Sequence, residues 1–512
     1  MSDKKLAHER MVRGIAKGAG IVFFSMILSR LLGFVIRAII GRVYGPEGYG
    51  HLQSILALFA ILSTIAIMGF STSLPRQIAY YLNTDKQKAL KNMLFAGYSL
   101  STIISLLFGG LLILFSKPLA LHYFHNKALI PFIHYFGAGL TFYVWLQLSA
   151  NAYRGLKRML PFSLIRDVGR FILILLFLLI LVWQHLPVRY LGLIYLCTFF
   201  LIGTISTVTI FSTEPIKTSR LSFDFHEIRA LFRFSWPLVV AAIVYNLLFR
   251  VDTLMIAYFK TQSDVGIYNA AVPIGELLTL IITSFSPFLL PAMTEKYAQE
   301  DYTTLDSIYS ISTKWIYLLT IPLFSLIFFF PRFFILVVFG RQFVEATLVL
   351  QIIALGYLFS ASVGPAGNLM VVIGRTKLHL LNTLIALLVN IILNYFLIQK
   401  YGIYGGAIAT AFSYFLFNAI TLAELWILYR IQPFSMEFTK ITLLGIGLAG
   451  LLSLLYAPQR IWLGLLIFIV YFVLYLVLLK LSNSFDENDE IIFIEFEKKY
   501  GRGLDVIRKF FN

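Results

Sequence analysis

The sequence predicts an all-α polytopic membrane protein of about fourteen transmembrane helices, and three observations carry that prediction. Hydrophobic residues fill 59% of the 512 positions and charged residues only 13%, with a mean hydropathy of +0.83. A water-soluble chain of this length could not cover its surface with so few charges. Apolar runs of spanning length recur along the chain, near 17–41, 52–79, 92–115, 129–152, 161–184, 190–212 and 233–259. They continue near 266–292, 309–331, 345–373, 378–399, 403–429, 438–456 and 460–480. The breaks between runs are short and carry turn chemistry: Gly45-Pro46-Glu47-Gly48, Ser116-Lys117-Pro118, Leu186-Pro187, Gln432-Pro433 and Ala457-Pro458.

The first run follows Lys4, Lys5, Arg10, Arg13 and Lys17. It is longer than a signal-peptide core and no small-residue cleavage site follows it, so a retained helix is expected. With that end inside, the inner connections hold eighteen basic residues against nine outside. The inner set includes Arg76, Lys91, Arg154, Lys157, Arg158, Arg166, Lys217 and Arg375, and the outer set Arg42, Lys117, Arg189 and Lys260. Lys and Arg concentrate in cytoplasmic connections, which places both termini in the cytoplasm of a multi-pass cell-membrane protein. The net charge of +17 is spread over these connections and forms no basic domain, so nucleic acid is not an expected partner.

Spans one to six reappear as spans seven to twelve with a period of about 215–220 residues. Gly48 matches Gly266, Arg42 matches Lys260, and Pro75-Arg76 is echoed by Pro291-Ala292. Gly155 and Arg158 match Gly374 and Lys377. Six is even, so both halves enter the membrane in the same direction and the symmetry axis lies along its normal. The expected organisation is a six-helix lobe over 1–216, a second over 217–432 and two added helices over 433–480. A cytoplasmic tail over 481–512 follows, starting acidic at Asp486-Glu487-Asn488-Asp489-Glu490 and ending amphipathic. It lies at the membrane surface or is simply solvated.

Charges inside the spans mark the candidate site. Arg30 and Arg37 sit seven residues apart in the first run, about two helical turns, so both leave one helix face. Each costs about 2.5–3.5 kcal/mol at the bilayer centre even on insertion scales. Two readings stand: the arginines line a wet cavity that receives an anion, or they snorkel or pair with Asp252 or Glu276. Arg suits a phosphate because its planar fork binds oxygens bidentately. Arg250 and Asp252 lie in span seven and Glu276 in span eight. Asp252 is either a proton or cation site or the counter-charge of Arg250. Asn390 and Asn394, one turn apart in span eleven, either hydrogen-bond between helices or meet the hydroxyls of a sugar. Glu424, near the inner end of span twelve, reads as interfacial.

Enzyme signatures are absent. No P-loop, His-Glu-x-x-His or Gly-x-Ser-x-Gly pattern occurs, and no outer loop is long enough for a catalytic domain. Cys197 is the only cysteine, which excludes an intrachain disulfide or a thiolate cluster. His122, His125 and His134 surround one outer loop and read as aqueous residues, so no metal site is expected.

Ser29-Arg30-x-x-Gly33-Phe34-x-x-Arg37, followed by Gly41-Arg42-x-x-Gly45-Pro46-Glu47-Gly48-Tyr49-Gly50, resembles the opening signature of the polysaccharide transporters. That family holds the Wzx-type O-antigen flippases and relatives of stage V sporulation protein B, within the MOP superfamily of flippases and multidrug exporters. The resemblance implies two six-helix lobes around a cationic cavity that opens alternately to each side. The implied substrate is a polyprenyl-(pyro)phosphate-linked oligosaccharide bound by Arg30 and Arg37. Related lipid II flippases place their second arginine one residue earlier, followed by Asp; here Ala38 follows Arg37. The expected function is translocation of that glycolipid for surface polysaccharide biosynthesis, with no bond made or broken and no cofactor beyond a coupling proton or sodium ion. Expected partners are the lipid-linked oligosaccharide, membrane lipids and a polysaccharide polymerase or glycosyltransferases. The alternative is a multidrug or cation antiporter of the same superfamily, with Asp252 and Glu276 in charge.

Overall fold

The computed structural model describes residues 2–84, 90–214, 216–217, 225–434, 436–455, 461–482 and 484. The acidic run and amphipathic tail beyond residue 484 lie outside them, as do Lys86, Lys88, Arg220 and the Ala457-Pro458 break. The chain divides into two compact units, Met1–Gly266 and Ile267–Asn512.

The first unit contains α1 (Ser2–Ile67), α2 (Phe70–Leu82), α3 (Leu90–Leu114), the short α4 (Ser116–Pro118) and α5 (Ile130–Gly155). It continues with α6 (Met159–Ser163), α7 (Gly169–Trp183), α8 (Leu191–Phe211) and α9 (Phe225–Phe259), and α10 (Gln262–Gly275) begins in it. Helix α5 lies in the middle, against α2, α3 and α8. Its Val144, Leu148, Ala150 and Ala152 share a core with Leu74 and Ile78 of α2, Leu94 and Tyr98 of α3 and Ile210 of α8. The Tyr98 hydroxyl is 2.6 Å from Ser149 Oγ, which satisfies both polar groups inside that core. Helix α9 is tied in by Ser235 Oγ donating to Ser73 Oγ at 2.8 Å and by Tyr123 donating to the Leu254 carbonyl at 3.3 Å.

Helix α1 is not straight. Gly45 has φ 68 and ψ −175, and Pro46 follows it. A proline forces its predecessor out of the helical region, and glycine takes a positive φ without a Cβ clash. Beyond this kink α1 meets the start of α10 with almost no space between backbones. A Cβ on Gly50 would strike the Gln262 carbonyl oxygen, and one on Gly266 would strike the Pro46 carbonyl oxygen. Each glycine thus sits on the carbonyl four residues before the other, a local two-fold arrangement. One turn further, Ser54 Oγ donates to Gln262 Oε1 at 2.6 Å. The sequence pairs Gly266 with Gly48; the structure sets it against Gly50.

The second unit comprises α11 (Leu277–Ala298), α12 (Tyr302–Phe329), α13 (Pro331–Val338), α14 (Ala346–Val363) and α15 (Ala366–Val372). Then come α16 (Thr376–Tyr401), α17 (Ile403–Tyr429), α18 (Met436–Leu455) and α19 (Ile461–Leu481). Helix α12 is its hub, packed by α11, α14 and α18, while α16 and α17 pair beside α14. Buried tyrosines fasten the hub: Tyr309 donates to the Val363 carbonyl at 2.7 Å and Tyr475 of α19 to the Leu318 carbonyl at 3.1 Å. Outward faces are as apolar as the cores, with Phe24, Trp183, Phe288 and Leu454 largely exposed. Such a surface is stable only in lipid, where helices satisfy their own backbone groups.

Among the described residues, twelve segments are long and apolar enough to cross a membrane. The structure departs from the fourteen expected runs in two places. The runs at 17–41 and 52–79 fall in one 63-residue stretch, Gly20–Leu82. The run at 161–184 is interrupted by a π-helical turn, Leu164–Val168, which leaves the 15-residue α7. Arg166 and Asp167 occupy that turn and shorten the apolar run.

The α1–α10 crossing sets a stability expectation. Gly50→Leu forces two backbones apart, an overpacking cost of about 1–3 kcal/mol, and lowers the melting temperature in detergent. Gly110→Ala, where nothing lies within 4 Å of an added Cβ, leaves it unchanged or raises it. Equal thermal-shift values for the two variants would contradict the crossing.

Candidate functional site

The site is built on the first unit's opening helix. Arg30, Gly33 and Arg37 stand at i, i+3 and i+7 of α1 and so share one face. Arg30 is exposed, Arg37 half-buried and Gly33 buried. Gly33 faces the Phe171 ring of α7: an added Cβ would lie 3.3 Å from the ring edge. The space left by the missing side chain between the two arginines is therefore where α7 approaches.

Sequence reasoning missed the arginine that comes with that ring. The Arg170 guanidinium lies 4.7 Å from the Phe171 ring centroid, a cation–π distance. Its Nε is buried and has no hydrogen-bond partner among the described residues. The other basic residues of this stretch are occupied. Arg154 donates to the Ser71 carbonyl at 2.9 Å, and Arg158 reaches the Glu214 carbonyl at 3.5 Å. Arg166 pairs with Asp167 at 3.1 Å and covers the Phe162 ring at 4.6 Å. Neither Arg37 nor Arg170 has a carboxylate within 4.0 Å among the described residues.

Tyr195 lies on α8, which packs on α7. Its ring begins an aromatic group, 5.4 Å from Phe136 and 5.9 Å from Phe199. Phe59 of α1 stacks on Phe199 at 5.6 Å, and Tyr143 lies 5.0 Å from the same ring. Gln147 donates to the Tyr143 hydroxyl at 2.7 Å. Helices α1 and α7 thereby carry two guanidiniums on either side of the Gly33–Phe171 contact. Such a set can receive an anion with several oxygens.

The remaining candidates are distributed as follows. Asp252 of α9 is buried at 4% exposure and Arg250 is half-buried. Two residues apart on a helix, they point to different faces. Glu276 is half-buried in the break between α10 and α11, where its carbonyl accepts from Thr279 Oγ1 at 2.8 Å. Asn390 and Asn394 are fully buried and bonded to each other along α16, Nδ2 of Asn394 donating to Oδ1 of Asn390 at 2.9 Å. The Asn390 Nδ2 has no partner among the described residues.

Glu424 is more than interfacial. Its Oε2 accepts from Asn382 Nδ2 at 2.7 Å, which joins α17 to α16, and His379 lies within its electrostatic reach. The two partners are 42 residues apart in sequence, so only the antiparallel packing of the helices reveals the pair.

The fold and the basic opening helix define a membrane transporter. The polysaccharide biosynthesis protein family model matches residues 15–297, and the MatE model matches 237–396. The chain belongs to the polysaccharide biosynthesis protein family, in the MOP superfamily, a family of transporters and not of enzymes. A membrane protein of Methanocaldococcus jannaschii, MJ1068, is 24% identical over 93% of this chain and 97% of its own length. The probable low-salt glycan biosynthesis flippase Agl15 of Haloferax volcanii is 30% identical over 39% of this chain and 43% of its own. Among solved structures, the lipid II flippase MurJ in an inward closed conformation superposes with a TM-score of 0.70 at 16% identity. It covers 90% of this chain and 98% of its own, which shows the shared fold.

Asn382→Leu strands the half-buried Glu424 carboxylate without its donor. The cost is about 1–3 kcal/mol, read as a lower melting temperature in detergent. Asn382→Leu in a Glu424→Leu background should recover most of the loss, and an unchanged deficit in the double variant would break the assigned bond.

Proposed function

We propose that the protein is a flippase that moves a polyprenyl-(pyro)phosphate-linked oligosaccharide across the cytoplasmic membrane by alternating access, for surface polysaccharide biosynthesis. The observation that carries this reading is the α1 stripe, where Arg37 lies half-buried with no carboxylate within 4.0 Å among the described residues. A cation kept in an apolar segment without its own counter-ion favours a ligand that brings the negative charge. Family membership and the likeness to a glycan biosynthesis flippase point to the same substrate class.

In this reading Gly20–Leu82 passes through the membrane twice, bent at Gly45-Pro46, and Met159–Trp183 makes a further pass around its π-turn. That gives fourteen passes, with lobes at 1–216 and 217–432 and both termini in the cytoplasm. The phosphate exchanges hydration for guanidinium contacts at Arg30 and Arg37. Asn390 and Asn394 meet sugar hydroxyls, and Asp252, Arg250 and Glu276 serve ion coupling. The glycolipid is assembled by glycosyltransferases inside and consumed by a polymerase outside.

A drug or cation antiporter is the second reading, favoured by the MatE match over 237–396 and by the buried Asp252 within it. It predicts that an acidic residue, and not Arg30, is indispensable.

Replacing Arg30 by Ala separates the two. The expected outcome is a fall in exported glycan of about tenfold or more, from loss of a charge-assisted contact, with precursor accumulating on the inner leaflet. Arg30→Lys should recover part of it. Wild-type export from Arg30→Ala at normal membrane levels would remove the flippase reading.

A further inference from the structure

We infer that Arg170 is a third phosphate-binding arginine, closing a site with Arg37 on the arginine face of α1. The inference rests on the proposed flippase reading and extends it to a residue outside the opening motif.

The placement follows from packing. Gly33 divides the α1 stripe and admits the Phe171 ring at van der Waals distance. Arg170, the residue before that ring, lies over its face at 4.7 Å. A guanidinium stacked on an aromatic face keeps the N–H groups of its own plane available for oxygens. The π-turn Leu164–Val168 supports this aim. It adds one residue to the helix before α7 and so turns Arg170 away from the register it would have in a continuous α-helix. Arg166, one turn earlier, is neutralised by Asp167. Arg170 has no such carboxylate, and its buried Nε has no acceptor among the described residues.

A buried donor without an acceptor is costly, and a cation without a counter-ion in an apolar segment more so. Two such cations, Arg37 and Arg170, are carried by the two helices that meet where Gly33 faces the Phe171 ring. The ligand chemistry they fit is a phosphate or pyrophosphate ester. Its oxygens accept from both guanidiniums.

The test is a binding titration on the full chain in phosphatidylcholine nanodiscs, with farnesyl pyrophosphate as probe and farnesol as the uncharged control. Arg170→Gln and Arg170→Met, the latter keeping the stem on Phe171, are each expected to weaken pyrophosphate binding about 10- to 100-fold. Arg37→Gln should do the same. The double variant Arg37→Gln/Arg170→Gln should lose much less than the product of the two losses, because one anion connects them. Arg166→Gln should bind as wild type. Melting temperatures of all variants are compared first, and Arg170→Lys, which keeps the charge, covers a fold that fails without it.

Unchanged binding in both Arg170 variants alongside weakened binding in Arg37→Gln overturns the inference and leaves the flippase reading standing. Unchanged binding in Arg30→Gln and Arg37→Gln removes the phosphate reading itself. Fully multiplicative losses place Arg170 at a separate site and overturn the shared one. Phosphatidylglycerol competing as strongly as farnesyl pyrophosphate assigns the arginines to bulk anionic lipid and also overturns it.

Discussion

A guanidinium carried into hydrocarbon is the constraint on which this structure depends. Each such group costs several kcal/mol unless water, a counter-ion or a ligand meets it. The described chain uses three different answers. Arg154 and Arg158 reach backbone carbonyls, and Arg166 takes the adjacent Asp167. Arg37 and Arg170 have no carboxylate of their own among the described residues and lie on two helices that meet at Gly33 and Phe171. The contrast lies within one compact unit, so general tolerance of charge does not account for it.

The local backbone follows from placing those two. A straight, continuous α7 would carry Arg166 and Arg170 on one side, four residues apart. The π-turn separates their surroundings, giving one a carboxylate and the other an aromatic face. On the facing helix, Gly33 removes the side chain that would hold α7 away. Irregular helix geometry recurs at functional sites because it re-aims a side chain without breaking the segment. Here a one-residue bulge and one missing Cβ act on the same contact.

Hydropathy made most of the fold legible. The all-α class, the order of segments and nearly every boundary follow from length and apolarity, because a bilayer leaves the backbone few alternatives. Where the sequence misled, the reason is local. Arg166 and Asp167 sit in what hydropathy reads as one run, and periodicity cannot show that the helix absorbs them in a π-turn. The internal repeat is visible in punctuating glycines, but Gly48 and Gly50 are both candidates to match Gly266. Only the backbone crossing picks the second. The site was half legible. Arg30 and Arg37 stand out because they share a helix and a motif; Asn390 and Asn394, read as bonding between helices or to a sugar, are bonded to each other along α16. Arg170 and Glu424 do not stand out, since each acquires its meaning from a different helix. Pairs such as Glu424–Asn382, 42 residues apart, have no local signal at all.

A transporter also has to let go, and this limits how the proposed anion site can be made. Several charge-assisted contacts closing at once on a pyrophosphate would hold it far too tightly for turnover if all persisted. Placing the contacts on separate helices avoids this, because relative movement removes them one at a time. Helix α1 carries Arg30 and Arg37 and is broken at Gly45-Pro46, where intrahelical hydrogen bonding is interrupted. Helix α7 carries Arg170 and is packed on α8. A shift of the part of α1 below the kink by a few ångströms relative to α7 would split the set, leaving each phosphate oxygen to water. The energetics of release then depend on the Gly33–Phe171 contact. It is a single glycine–ring contact, with an added Cβ 3.3 Å from the ring edge. Affinity and release are thus set by the same pair of helices, which is the economical arrangement for a carrier that binds on one side and discharges on the other.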